Sequence, residues 1–212
     1  MNSFCVISNY RCGTSTFTMK LAEQHGVPYC GELFNSGKPF PIGNAGRKAP
    51  HPQKIQEVRN GAKGAFKIFP NQCSYDVMKD MMLAADKTYY LYRRDFAAQC
   101  RSWIGMSATG DYGNNGFIKD PNRKLSGING EYGKTVKHVI KSNQQVANSK
   151  IQQLRKNWEI IRKLYQELPQ FEVVCYEDYF RQTNDWKPYN REYTWKNKIN
   201  IPEYDVESIF HG

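Results

Sequence analysis

The chain has no run of about 18 apolar residues, so no segment reads as a membrane-spanning helix. Met1 to Ser8 lacks the basic start and long apolar stretch of a secretory signal, and a soluble, cytoplasmic protein is the expectation. The six cysteines, Cys5, Cys12, Cys30, Cys73, Cys100 and Cys175, are scattered and form no CxxC pair. That spacing argues against a zinc site or a disulfide framework and for a reducing compartment. No metal-ligand cluster stands out, and internal repeats and low-complexity tracts are missing. So is the GxxxxGK[ST] loop of Walker-type nucleotide kinases.

What is present is a globular composition with a basic excess. Of 212 residues, 40% are hydrophobic and 14% aromatic, enough for a core, and the net charge is +10. The length fits one domain spanning 1–212. The charge suits an anionic partner: a nucleotide, a sulfated or phosphorylated acceptor, or nucleic acid.

Hydrophobic patterning gives strands alternating with helices. Phe4 to Ser8 is a short apolar run rich in β-formers, which predicts a buried strand. Thr14 to His25 carries Phe17, Leu21 and Ala22 at helical spacing and stops at Gly26. Gly64 to Phe69, Thr88 to Arg93 and Phe171 to Tyr176 are further strands. Tyr75 to Ala85, Phe96 to Met106 and roughly 135–168 are predicted helices, the last with Ile151, Leu154, Trp158, Ile161, Tyr165 and Leu168 on one face. Residues 35–52 and the glycine-rich insert 107–133 read as loop. The implied fold class is α/β: a three-layer, P-loop-like arrangement with a central parallel sheet flanked by helices. Ligands in such folds sit at the carboxyl ends of the strands.

The first strand runs into Arg11-Cys12-Gly13-Thr14-Ser15-Thr16 and then a helix. Free N–H groups of a first helical turn, aided by the helix dipole, bind anions, and Gly13 lets the backbone approach closely. Arg11 adds a charged fork and the three hydroxyls add donors. Helix capping alone accounts for Ser and Thr at such a place equally well. A second strand-to-helix junction carries Arg94, and Ser102 follows it eight residues on.

Together these segments resemble the sulfotransferases that use 3′-phosphoadenosine 5′-phosphosulfate (PAPS). RCGTST is similar to their 5′-phosphosulfate loop, usually [RK]-[SG]-G-[ST]-[ST], with Cys12 departing from the usual small residue. RRDFAAQCRSW is similar to the bacterial trehalose-lipid sulfotransferase version, R-x-D-x-x-x-Q-x-x-S, which Gln99 also fits. Weaker likenesses lie in Gly31-Glu32-Leu33-Phe34, in Ala65-Phe66-Lys67-Ile68-Phe69 and in Tyr176-Glu177-Asp178-Tyr179. The resemblance covers roughly residues 3–34, 62–104 and 171–180.

The resemblance implies transfer of a sulfuryl group from PAPS, without a metal, to a hydroxyl of a carbohydrate or small alcohol, leaving adenosine 3′,5′-bisphosphate. Arg11, Cys12, Gly13, Thr14, Ser15 and Thr16 would hold the 5′-phosphosulfate, and Arg94 with Ser102 the 3′-phosphate. Glu32 would be the general base, with His25 and His51 as other candidates, and Arg11 and Lys67 would face the transferring group. Two other classes stay open on the residues alone: a kinase-like phosphotransferase and a non-catalytic basic protein that binds nucleotide or nucleic acid. No named nucleic-acid motif accompanies the charge, so nucleic acid is not the expected partner.

Overall fold

The computed structural model describes residues 1–34, 51–109, 136–140, 143–182, 191–196 and 198–211. In chain order the elements are β1 (Ser3–Ser8), α1 (Thr14–His25), β2 (Tyr29–Glu32), α2 (His51–Arg59), β3 (Gly64–Ile68), α3 (Tyr75–Ala84) and β4 (Lys87–Tyr92). They continue with α4 (Phe96–Thr109), β5 (Val136–Ile140), α5 (Gln144–Glu167), β6 (Glu172–Cys175), α6 (Tyr176–Gln182), β7 (Arg191–Trp195) and α7 (Ser208–His211).

Five strands make one parallel sheet in the order β2-β3-β1-β4-β6. The fold is α/β with helices flanking that sheet, as the alternating pattern predicts. β1 is central, and all six of its residues are buried, so it reads as a continuous apolar run rather than an alternating one. Ile7 pairs with Ile68 of β3 on one side and with Tyr90 of β4 on the other. Glu32 at the end of β2 pairs with Lys67 of β3, and Lys67 pairs with Val6 of β1. The chain leaves β1 toward β2 and leaves β3 toward β4, so direction switches beside the carboxyl end of β1. That is where open α/β sheets leave a crevice.

The core gathers on both faces of the sheet. Phe4, Phe17, Phe66, Tyr90 and Trp158 are among its largest fully buried side chains. Burying one such side chain stabilises the fold by roughly 1.5–3 kcal/mol. α5 turns Ile151, Leu154, Trp158, Ile161 and Leu164 inward, spaced by three and four residues.

Local chemistry places the boundaries. Ser74 starts α3 by accepting from the Val77 N–H, and Asn143 starts α5 by accepting from the Val146 N–H at 2.8 Å. The predicted helix over 135–168 is therefore two elements. Residues 136–140 are β5, paired in parallel with β7, and the helix begins only after Asn143. Val136, Val139 and Ile140 are β-branched, which favours strand over helix locally. β2 and α2 are absent from the sequence-level pattern. Residues 107–109 finish α4, and His51 and Pro52 open α2; the rest of both predicted loops, 35–50 and 110–133, lies outside the described residues. Among the described residues, no helix is long and apolar enough to cross a membrane.

Candidate functional site

The loop after β1 has an unusual backbone. Arg11 sits at φ 64° and Gly13 at φ 73°, both in the left-handed region. Arg11 is the one described non-glycine residue there, at a cost of order 1–2 kcal/mol. Gly13 is required twice over, because a Cβ there would lie 2.3 Å from Cε2 of Tyr176.

Gly13 is also the N-cap of α1 and provides no side-chain cap. The hydroxyls beside it are turned elsewhere. Thr14 donates to Ser8 Oγ at 2.9 Å, and Ser15 accepts from the Lys67 ammonium. The sequence-level alternative, that Thr14 and Ser15 serve as caps, does not describe this helix. A helix start without a side-chain cap keeps first-turn N–H groups and the positive end of the dipole for an anion.

Buried polar side chains hold the loop in place. Gln99 of α4 donates to the Tyr10 carbonyl at 2.7 Å and accepts from the Trp158 indole at 3.2 Å. Asn9 donates to the Leu154 carbonyl at 2.7 Å, accepts from Asn157 at 3.0 Å, and accepts from the Tyr10 N–H. Asn9 and Gln99 are fully buried, so these bonds fix the backbone on α4 and α5. Cys12 is buried against the same amide, and desolvation pushes its thiol up to about 12. It packs and does not ionise.

Two clusters of charge flank the loop. On the β2–β3 side, the Lys67 ammonium lies 3.5 Å from Glu32 and donates to Ser15. Gln72 donates to the other Glu32 oxygen at 2.9 Å. The Tyr10 phenol is pushed up to about 12, chiefly by burial, with the Glu32 carboxylate adding to the rise and a hydrogen bond with Asn71 opposing it. On the β4 side, Arg11 donates through Nε to Ser102 Oγ at 2.9 Å. Arg93 donates to the Arg11 carbonyl at 3.3 Å and lies over the Tyr176 ring.

The structure thus brings Arg11, Cys12, Gly13, Thr14, Ser15, Thr16, Lys67, Glu32 and Ser102 to one sheet edge. Arg94 points elsewhere, to Asp178 at 2.8 Å and Glu207 at 3.1 Å, and both carboxylates hold its guanidinium more firmly protonated. Arg93 is the arginine that faces the loop, and spacing counted back from Ser102 missed it. The signal was there, since R-x-D-x-x-x-Q-x-x-S begins on Arg93. His25 stacks on Phe4 at 4.3 Å, at the opposite end of β1 from the loop, and so is away from this edge. The side chain of His51 lies outside the described residues. Tyr176, Glu177 and Asp178 pack on the loop and on the start of α4, with Glu177 accepting from the Arg94 and Asp95 N–H groups. Among the described residues, no group of three His, Cys, Asp or Glu is placed to hold a metal ion.

The arrangement offers an anion cradle with two fixed cations on one side, a third cation on the other, and a carboxylate beside it. No protein-family model and no curated protein matches the chain.

Proposed function

We propose that the chain is a PAPS-dependent sulfotransferase whose acceptor is a carbohydrate or small alcohol. The observation that carries this is the start of α1: an uncapped first turn, preceded by left-handed Arg11 and Gly13, with Arg11 on one side and Lys67 on the other. Such a site suits an anion that gains charge during reaction.

In this mechanism the acceptor oxygen bonds to sulfur as the bond from sulfur to the 5′-phosphate oxygen breaks, and the acceptor proton passes to Glu32. The N–H groups of the first turn hold the 5′-phosphosulfate. Arg11 supplies charge and hydrogen bonds to the leaving phosphate but no proton, because guanidinium does not deprotonate. Lys67, 5% exposed, supplies a fixed cation beside Ser15. The 3′-phosphate falls to Ser102 with Arg93, which has one carboxylate, Glu177, at 3.8 Å, rather than to Arg94, which Asp178 and Glu207 hold at 2.8 and 3.1 Å. The expected product is adenosine 3′,5′-bisphosphate.

Calorimetric titration with that bisphosphate, without metal, tests the proposal, with AMP and ATP as controls. Micromolar binding of the bisphosphate and much weaker binding of AMP is the expected result. Arg93→Ala should weaken it about 10–100-fold, one charge-assisted contact, while Arg94→Ala changes it little. No preference for the 3′-phosphate would overturn the proposal and favour a kinase-like or nucleic-acid-binding protein. Loss on Arg94→Ala alone would return the 3′-phosphate to Arg94.

A further inference from the structure

The loop after β3 reaches back to the carboxylate at the end of β2 through one side chain. Gln72 uses both ends of its amide. Its Oε1 accepts from the Phe69 N–H at 3.2 Å, and its Nε2 donates to Glu32 Oε2 at 2.9 Å. The Phe69 carbonyl in turn accepts from the Gln72 N–H at 3.0 Å, closing a tight turn that fixes where the amide points. The other oxygen, Glu32 Oε1, faces the Lys67 ammonium at 3.5 Å.

We infer that Gln72 is a positioning residue for Glu32: it takes up one carboxylate oxygen and holds the other toward Lys67 and the α1 loop. This rests on Glu32 being the base of the proposed reaction. A neutral amide suits the task. It donates one hydrogen bond to the ionised carboxylate, favouring that form, without adding a second full cation that would quench its basicity. The titratable groups placed against Glu32 include Lys67 from β3, the Tyr10 hydroxyl from the loop after β1, and Tyr29 on Glu32's own strand. The two phenols are neutral at physiological pH: both are pushed up to about 12 by desolvation of the hydroxyl, although Tyr29 as a whole is exposed. Lys67, through its charge, and Gln72, through its hydrogen bond, both act on how Glu32 titrates.

Two variants separate positioning from simple loop support. Gln72→Met keeps the length and removes the donor; Gln72→Glu puts a second carboxylate in its place. Two readouts are taken: the pH profile of kcat for sulfuryl transfer, and the titration of the Glu32 carboxyl followed by carbon-13 NMR in the ligand-free protein. With Gln72→Met, the Glu32 midpoint and the acid limb of the profile should both rise by about one pH unit, while KM for PAPS changes less than threefold. With Gln72→Glu both should rise further, because two carboxylates so close cannot ionise together easily. An unmoved Glu32 midpoint in both variants would overturn the inference, leaving Gln72 as a brace of its own turn. If one variant fails to fold, the other decides. A wild-type protein that transfers no sulfuryl group removes the proposed function, but the NMR titration still decides whether Gln72 governs Glu32.

Discussion

Gly13 shows how much of the candidate site rests on single residues. Two independent demands meet there. The backbone is left-handed, and the Tyr176 ring occupies the space of a Cβ, with Phe180 3.3 Å away on the same side. The ring cannot swing off without leaving Arg93, which lies 5.1 Å from its centroid. Gly13→Ala should therefore destabilise the protein by about 1–3 kcal/mol, as strained backbone and overpacking do. Gly13→Ala with Tyr176→Ala removes the clash and keeps the φ cost. Urea unfolding of both compares the terms: a single variant as stable as the native protein would show that the loop has room, and that the close approach is not required. At this scale the sequence is informative in part. Gly13, Thr14 and Ser15 are visible as a turn opening a helix. Their hydroxyl partners, Ser8 and Lys67, are not, because the first depends on a turn geometry and the second on a strand from more than fifty residues away.

The elements that build the site are mostly legible where they are periodic and local. α1 has the bounds its apolar spacing predicts, β1, β3 and α3 differ from expectation by one residue at one end, and β4 is shifted by one residue at both ends. β2 escapes notice because Tyr29 to Glu32 is four residues long and contains a glycine, Gly31 at φ 62°, with its register shifting between Tyr29 and Gly31. The predicted helix starts too early because 136–140, with β-branched Val136, Val139 and Ile140, runs without a break in pattern into the helix that Asn143 caps. What no local pattern reveals is the bracing of the α1 loop by helices distant in sequence. Asn9 meets Leu154 and Asn157, and Gln99 links Tyr10 to Trp158. Gln99→Met, close in shape but without donor or acceptor, leaves the buried Tyr10 carbonyl and Trp158 indole without that partner. The expected cost is about 2–4 kcal/mol in urea unfolding, the sum of two lost buried hydrogen bonds. Affinity for adenosine 3′,5′-bisphosphate should fall as well, since the loop would no longer be held before the ligand arrives. Full stability in Gln99→Met would mean that α4 and α5 position the loop by packing alone.

Across the whole molecule, the ends of the chain are tied to the sheet by carboxylates. Asp86, at the entrance to β4, accepts from the N–H groups of Asn2 and Ser3 and so holds the first strand. Glu207, just before α7, accepts from Arg94 and from the Tyr92 hydroxyl, and Asp178 shares Arg94. Glu167 joins the end of α5 to Lys79 and Tyr75 of α3. These bonds hold all four carboxyls below their ordinary values of 3.8 for Asp and 4.5 for Glu: backbone N–H groups do so for Asp86, Arg94 for Asp178 and Glu207, and Lys79 for Glu167. Each ionises at lower pH in the folded chain than in the unfolded one. Its contribution is therefore complete above the unfolded value and is lost as pH falls through the folded value. Stability should be flat on the acid side of neutrality, then drop as pH goes below about 4.5. The three ion-paired carboxylates are exposed, so salt should weaken their share, whereas the Asp86 bonds to backbone N–H groups should resist it. Melting curves from pH 7 to pH 3, at low salt and at about 0.5 M salt, separate the two kinds of tie, with Asp86→Asn as the reference that lacks the salt-resistant one. An acid drop that salt abolishes entirely would mean that Asp86 contributes nothing, and that the first strand is held by the sheet hydrogen bonds of β1 alone. A drop unchanged by salt and missing in Asp86→Asn would place the acid sensitivity of the fold at its amino-terminal strand.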